Sequence, residues 1–238
     1  MFVSLAVLHS RAIVLDIEGT TTPVEFVYQV LFPFARTHAA AYLRREGESA
    51  ACRAAMDQLC VEQTDDRERG LQPPALLPDY VVWLMDRDRK SPGLKALQGL
   101  VWQEGYRRGE LRGQVYPDVP RAFERWRTQG IDLYIYSSGS VLAQQLLFGS
   151  TEGGDLTGFL AGYFDTAVGP KLAPDSYRVI ADRIRVASSR ILFVSDVAAE
   201  LDGAAAAGWQ TALCVRGEKN ALPGSGRYSC IHSFDEIV

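Results

Sequence analysis

The stretch Ile13-Val14-Leu15-Asp16-Ile17-Glu18-Gly19-Thr20-Thr21-Thr22 sets three branched apolar residues directly ahead of an acid, a second acid two places on, a glycine and three threonines. A short apolar run that stops at a polar turn is the pattern of a buried strand opening onto a loop. Side chains alternate along a strand, so Asp16 and Glu18 are expected to point the same way at its carboxyl end. Two like charges at that spacing repel each other unless a cation joins them. Mg2+ fits the need, because it takes one or two carboxylate oxygens and completes its octahedron with water and substrate phosphate. An Asp-x-Glu pair alone reads at least as well as a strand end whose acids face water, so the remainder of the chain has to decide.

Working outward, strand patterns recur only after residue 112. Residues 131–136, 163–168, 190–194 and 211–215 each carry a short apolar run, and the tail reads as loop until residues 231–237. Between them lie helical patterns, with Val119, Phe123 and Trp126 at i, i+4 and i+7, and later Tyr177, Ile180 and Ile184 on one face. Residues 23–112 show no strand signal. Pro23 suits a first helical turn, the apolar run over residues 24–34 reads as a helix covered on most sides, and Pro33 is expected to kink it or begin a second segment. A further helix is predicted over residues 48–65, a break over 70–78, a short helical piece over 80–85, and a helix marked by Leu94, Leu97 and Val101 that ends near Gly109.

Strands alternating with helices imply right-handed crossovers and a parallel sheet covered on both faces. The expected fold class is therefore α/β: a Rossmann-like parallel-sheet core built from residues 1–22 and 113–238, with an all-helical insert, residues 23–112, serving as a cap. Ligands of such sheets bind outside the carboxyl ends of the strands. Polar residues stand at four of those ends: Asp16 and Glu18, Ser137 and Ser138, Lys171, and Asp196.

That coincidence suggests a phosphate monoester site. Ser137-Ser138-Gly139 precedes a helix amino terminus, where backbone N–H groups and the dipole favour an anion. Taken singly, the serines read as a turn with a helix cap, and Lys171 as a solvated loop lysine. Asp196 would complete the metal site, and Glu200, one helical turn later, would steady it. Magnesium and Lys171 together offset the charges of Asp16, Glu18 and Asp196 before the substrate arrives. Asp16 stands first in line as a nucleophile that passes through an aspartyl-phosphate.

Composition narrows the alternatives. With 25 basic against 29 acidic side chains and a net charge of −4, the chain has no basic field for nucleic acid or an anionic membrane, so phosphate must be recognised locally. The apolar residues 1–8 lack the basic leader of a secretory signal, and no run approaches the length of a membrane span. Cys52, Cys60, Cys214 and Cys230 form no Cys-x-x-Cys pair and read as reduced packing residues, so the expected compartment is the cytoplasm. His9, His38 and His232 are unclustered.

Asp16-Ile-Glu-Gly-Thr20, Ser137-Ser138, Lys171 and Ser195-Asp196 stand in the order of the haloacid dehalogenase superfamily motifs. The chain more closely resembles the enolase-phosphatases of methionine salvage. It does so through Leu-Asp-Ile-Glu-Gly-Thr-Thr-Thr-Pro at 15–23, Val-Leu-Phe-Pro-Phe-Ala-Arg at 30–36, Gln-Gly-Leu-Val-Trp-Gln-Glu-Gly-Tyr at 98–106, Tyr-Ser-Ser-Gly-Ser-Val at 136–141 and Phe-Asp-Thr-x-Val-Gly-x-Lys at 164–171. Glu18 is discriminating, since most phosphatases of the superfamily carry a second aspartate there.

The resemblance implies a bifunctional reaction dependent on one Mg2+ per chain. The substrate is 2,3-diketo-5-methylthiopentyl 1-phosphate, which enolises at carbon 1 and is then hydrolysed to the acireductone 1,2-dihydroxy-3-keto-5-methylthiopentene and phosphate. It also implies metal ligation by Asp16, Glu18 and Asp196, substrate phosphate on Ser137, Ser138 and Lys171, and a monomer. Glu18 is read as the proton shuttle, and Phe26, Tyr28, Trp102 and Tyr106 either contact the methylthio tail or build the core of the cap. Glu25 and residues 217–222 depart from the family pattern. The competing readings are a phosphatase of another small monoester and a non-catalytic module that accepts phosphate on Asp16.

Overall fold

The computed structural model describes residues 10–217 and 227–238. Residues 1–8, His9 and residues 218–222, of which readings were made above, lie outside the described residues. The chain divides into two compact units, Met1–Val24 with Gly113–Val238, and Glu25–Arg112.

The first unit is built on a six-stranded sheet of β1 (Ala12–Leu15), β2 (Asp132–Tyr136), β3 (Leu160–Phe164), β4 (Ile191–Ser195), β5 (Gln210–Cys214) and β6 (Ser229–Ile231). All pairings are parallel, in the order β3-β2-β1-β4-β5-β6. All four residues of β1 are fully buried, as a central parallel strand requires, with Val14 flanked by Tyr134 on one side and Phe193 on the other. Strand order reverses between β1 and β4, and the crevice outside their carboxyl ends is where such sheets bind ligands. Asp16 follows one of these two strands and Asp196 the other.

The helices, in chain order, are α1 (Val24–Phe26), α2 (Phe32–Glu46), α3 (Ala50–Glu68), α4 (Leu77–Asp86), α5 (Pro92–Arg107), α6 (Asp118–Thr128), α7 (Val141–Gly149), α8 (Pro174–Ile184) and α9 (Ala198–Ala206). In the first unit, Val119, Phe123 and Trp126 of α6 are all buried, as their spacing predicts. Tyr177 and Ile180 of α8 pack with Phe193, Leu201 and Trp209 into one apolar cluster.

The second unit, by itself, is helical. The chain takes one π-helical turn, Val27–Leu31, directly ahead of Pro33, so the expected kink is absorbed there and the proline sits in the first turn of α2, where its missing N–H costs nothing. Its core gathers Leu43, Leu59, Tyr80, Leu84, Leu97 and Val101. Asp66, 2% exposed, is paired: Tyr80 Oη donates to its Oδ2 at 2.9 Å and Arg89 Nη2 to its Oδ1 at 2.7 Å. Phe26, Trp102 and Tyr106 are buried, whereas Tyr28 is exposed.

Several boundaries differ from the sequence reading, most by a few residues at one end. The third strand, predicted over residues 163–168, runs from Leu160 to Phe164. Asp165 ends it by accepting from the Ala167 N–H at 2.9 Å and opening a 3-10 turn. Leu77 and Pro78, read as part of a break, form the first turn of α4. The tail contributes a sixth strand, too short for its own pattern to announce, which pairs Ala212 with Ser229. No disulfide joins the four cysteines. No described helix is long and apolar enough to cross a membrane.

Candidate active site

The turn after β1 is held by its own threonines. The Asp16 N–H donates to the Val194 carbonyl at 3.0 Å, carrying the ladder one residue past the strand. The N–H groups of Thr20, Thr21 and Thr22 all converge on the Ile17 carbonyl, and Thr21 Oγ1 donates to the Asp16 carbonyl at 3.0 Å. Gly19 sits at φ +72°, and a Cβ placed there would lie 2.2 Å from Asp196 Oδ2, so only glycine lets the two loops meet. The Asp196 N–H donates to Thr20 Oγ1 at 3.0 Å, tying the loop after β4 to the same turn.

Lys171 arrives from the loop after β3. Tyr136 Oη donates to the Gly169 carbonyl at 3.0 Å, Ser176 Oγ to the Pro170 carbonyl at 2.8 Å and Tyr177 Oη to the Lys171 carbonyl at 2.6 Å. Thus supported, the ammonium donates to Asp16 Oδ1 at 2.5 Å and pairs with Glu200 Oε2 at 2.6 Å. Ser195 Oγ lies 3.3 Å from Asp16 Oδ2 and 3.0 Å from Glu200 Oε2. Lys171 is 8% exposed and Asp16 3%, so this is a buried network of one cation between two carboxylates.

Not all the expected residues join it. Ser137 is fully buried, accepts from the Gly139 N–H at 3.1 Å and reaches Glu18 Oε2 only at 3.5 Å. Ser138 is exposed, and Ser140 caps α7 instead by accepting from the Ala143 N–H. Glu25 is exposed. His38, stacked on Phe34, and His232, against the Val215 carbonyl, stand outside the network. Sequence reasoning gave Thr20, Thr21 and Tyr177 no role, yet they position Asp16, Asp196 and Lys171. The run of three threonines was the available signal; Tyr177 had none beyond its place on a helix face.

Electrostatics follow the geometry. Burial would lower the Lys171 pKa, but the Asp16 and Glu200 carboxylates beside it outweigh that and hold it above the ordinary value. Burial, reinforced by the Asp16 charge, pushes Asp196 up to about 7 and also raises Glu18 and Glu200. Three acids that resist ionisation around one lysine mark a site short of positive charge.

The residues fit a divalent cation. Asp196 Oδ1 is buried without a hydrogen-bond partner, which is costly unless something else occupies it. Among the described residues no three Asp, Glu, His or Cys side chains are grouped as ligands of one ion. Mg2+ does not need such a cage, since one or two carboxylates, waters and a phosphate suffice.

Comparison with known proteins agrees with this geometry. A model of the haloacid dehalogenase-like hydrolases matches residues 10–208. An enolase-phosphatase E1 from Synechococcus elongatus is 48% identical over 94% of this chain and 96% of its own length, and one from Enterobacter sp. is 47% identical over 95% and 96%. The UTR4 protein of Saccharomyces cerevisiae superposes with a TM-score of 0.78 at 32% identity, covering 95% of this chain and 99% of that one. The likeness runs through both units and the whole set of strand-end loops, and the chain belongs to the haloacid dehalogenase-like hydrolases and, within them, to the enolase-phosphatase E1 family.

Proposed function

We propose that this chain acts on 2,3-diketo-5-methylthiopentyl 1-phosphate, enolising it at carbon 1 and hydrolysing the enol phosphate to the acireductone and inorganic phosphate. The observation that carries the reading is the Lys171–Asp16 contact at the carboxyl edge of the sheet, beside an Asp196 oxygen with no partner. Asp16, oriented through Oδ1 by Lys171, attacks phosphorus through its other oxygen. The P–O bond to the enol breaks, the leaving oxygen takes a proton, and water then frees phosphate and restores Asp16. Lys171 supplies positive charge to the phosphoryl oxygens, and Ser137 supplies a hydroxyl donor. Ser138, though exposed, is assigned to the same phosphate.

Asp16 and Asp196 would hold one Mg2+, which when bound neutralises charge on the transferring phosphoryl group. The sequence reading also placed Glu18 on the ion. Its carboxyl reaches toward Ser137, and burial keeps its pKa raised, so the proposal gives it the proton transfers of enolisation and leaving-group protonation. The helical insert is assigned the role of a cap that excludes water from the enolate. The enzyme is assigned to the cytoplasm as a monomer working on a small soluble substrate, with neither nucleic acid nor membrane as partner.

Incubation with the diketo phosphate and Mg2+, following acireductone absorbance alongside phosphate, tests the reading. Both products are expected in step; phosphate without the chromophore would overturn the enolase half.

A further inference from the structure

The nucleophile turn is gripped from behind by a residue that no motif marks. Arg216, two residues past β5, is only 7% exposed along its side chain. Its Nε and Nη2 both donate to the Thr20 carbonyl, at 3.1 and 2.9 Å. Nη1 pairs with Asp118 Oδ2 at 2.7 Å. The guanidinium is sandwiched between Tyr116, 4.4 Å from its ring centroid, and Phe234, 4.7 Å away. Tyr116 is itself fixed to the turn, its N–H donating to the Thr21 carbonyl at 3.0 Å.

Thr20 is thus held at both ends. Its carbonyl accepts a two-pronged clamp from Arg216, while its hydroxyl accepts the backbone N–H of Asp196. One residue therefore links the end of β5 to the relative placement of the Asp16 and Asp196 loops. A guanidinium suits this task where an ammonium does not: it is planar, stacks between rings, and presents parallel donors at a fixed spacing. The stacking also removes the side chain's freedom in advance, so that the clamp transmits position instead of absorbing it.

We propose that Arg216 is a positioning residue for phosphoryl transfer, fixing through the Thr20 carbonyl the separation at which Asp16 and Asp196 work. The inference rests on the phosphatase reading above. It acts through the turn, without touching substrate. Asp118 belongs to the same clamp, since it also accepts from the Phe234 N–H at 2.6 Å and so holds one of the two rings against the guanidinium.

Tyr80→Phe, which removes a buried hydrogen bond to Asp66 in the second unit, supplies the control. Arg216→Lys and Tyr80→Phe are compared with the parent for thermal melting, for binding of Mg2+ alone by calorimetry, and for kcat and KM of phosphate release from the diketo phosphate. Arg216→Lys is expected to melt cooperatively, to bind Mg2+ about tenfold more weakly and to lose about tenfold in kcat with KM within about twofold. Tyr80→Phe is expected to melt earlier yet keep the parent's Mg2+ affinity. Parental Mg2+ affinity and kcat in Arg216→Lys, or equal weakening in Tyr80→Phe, would overturn the proposal. Should Arg216→Lys not fold, Tyr116→Leu, which removes one stacking face, is read by the same criteria. A parent enzyme that releases no phosphate defeats the functional reading instead, and the Mg2+ titration still tests Arg216 because it requires no turnover.

Discussion

Lys171 Nζ stands 2.5 Å from Asp16 Oδ1 across 155 residues of chain, and both side chains are more than nine-tenths buried. A pair so placed is costly to assemble, because each charge gives up its hydration. Here the ammonium is shared with Glu200, and Ser195 adds a hydroxyl between the two acids. The arrangement leaves the second oxygen of Asp16 facing Ser195 at 3.3 Å, a long contact that a substrate can displace. In the proposed reaction one cation would thus both orient the nucleophile and neutralise its neighbour.

Removing that cation should therefore cost twice. Lys171→Met leaves Asp16 and Glu200 buried with no counter-charge, for which a loss of about 3–5 kcal/mol is the scale before protonation relieves it. Phosphate release should fall by roughly 10²–10³-fold, as when a preorganised donor to a developing charge is lost. Urea denaturation and steady-state phosphate assays check the two parts. A variant that melts earlier but still turns over normally would remove Lys171 from the chemistry.

Glu18 should separate the two halves of the reaction. Glu18→Gln keeps the shape of the side chain and its hydrogen-bonding reach to Ser137 but cannot exchange a proton. Solvent deuterium incorporation at carbon 1, followed by NMR, should slow by about 10²-fold. Release of phosphate from a simple aryl phosphate, whose leaving group needs no proton, should fall far less. Unchanged deuterium incorporation would take the carbon-bound proton away from Glu18.

Much of this site is legible in the sequence. The strand ends carrying Asp16 and Asp196 could be read because a buried parallel strand is a continuous apolar run, and whatever polar residue ends it must face the ligand edge. Lys171 lies further out, in the loop beyond the 3-10 turn that follows β3, and reads as a strand end only where that strand is placed too late in the chain. Contacts within a loop were not legible in that way. Whether Glu18 turns toward Asp196 or Ser137 depends on the turn geometry of Gly19 and Thr20, and periodicity carries no information about that. Arg216 was hidden for a related reason: its partner is a backbone carbonyl, which any residue at position 20 would present. The sixth strand, three residues long, is stabilised by pairing with β5 and not by a pattern of its own.

The close approach of Gly19 to Asp196 gives a test with an internal control. Gly19→Ala adds a Cβ that would meet Asp196 Oδ2 at 2.2 Å, in a backbone conformation at φ +72° that alanine also disfavours. Gly130 has nearly the same φ, +74°, with nothing within 4 Å of its would-be Cβ. Both alanine variants should lose about 1–2 kcal/mol from the strained backbone. Only Gly19→Ala should raise the Mg2+ concentration needed for half-maximal phosphate release. Equal Mg2+ curves for the two variants would mean that the Asp196 loop yields without consequence. Chelation by EDTA should abolish activity in the parent and in Gly130→Ala alike, and added Mg2+ should restore it.

Alkaline pH should unfold the protein as its buried phenols ionise. Burial pushes the Tyr163 hydroxyl up to about 12, and the same cause raises Tyr106, Tyr136 and Tyr177 above the usual phenol range. The Cys214 thiol is likewise pushed up to about 12 by burial. Each of these groups is an acid whose folded pKa exceeds its unfolded one, so the folded state holds the proton more tightly. The stability it contributes is complete below the unfolded value, near pH 10 for a phenol, and is lost as pH rises from there toward 12. Tyr106 and Tyr163 sharpen the effect, since neither hydroxyl has a hydrogen-bond partner to compensate an ionised oxygen. Tyrosinate absorbance should therefore rise in one steep step between pH 10 and 12, coincident with loss of near-ultraviolet circular dichroism. A gradual titration centred near pH 10, with the dichroism intact, would show these phenols to be open to solvent.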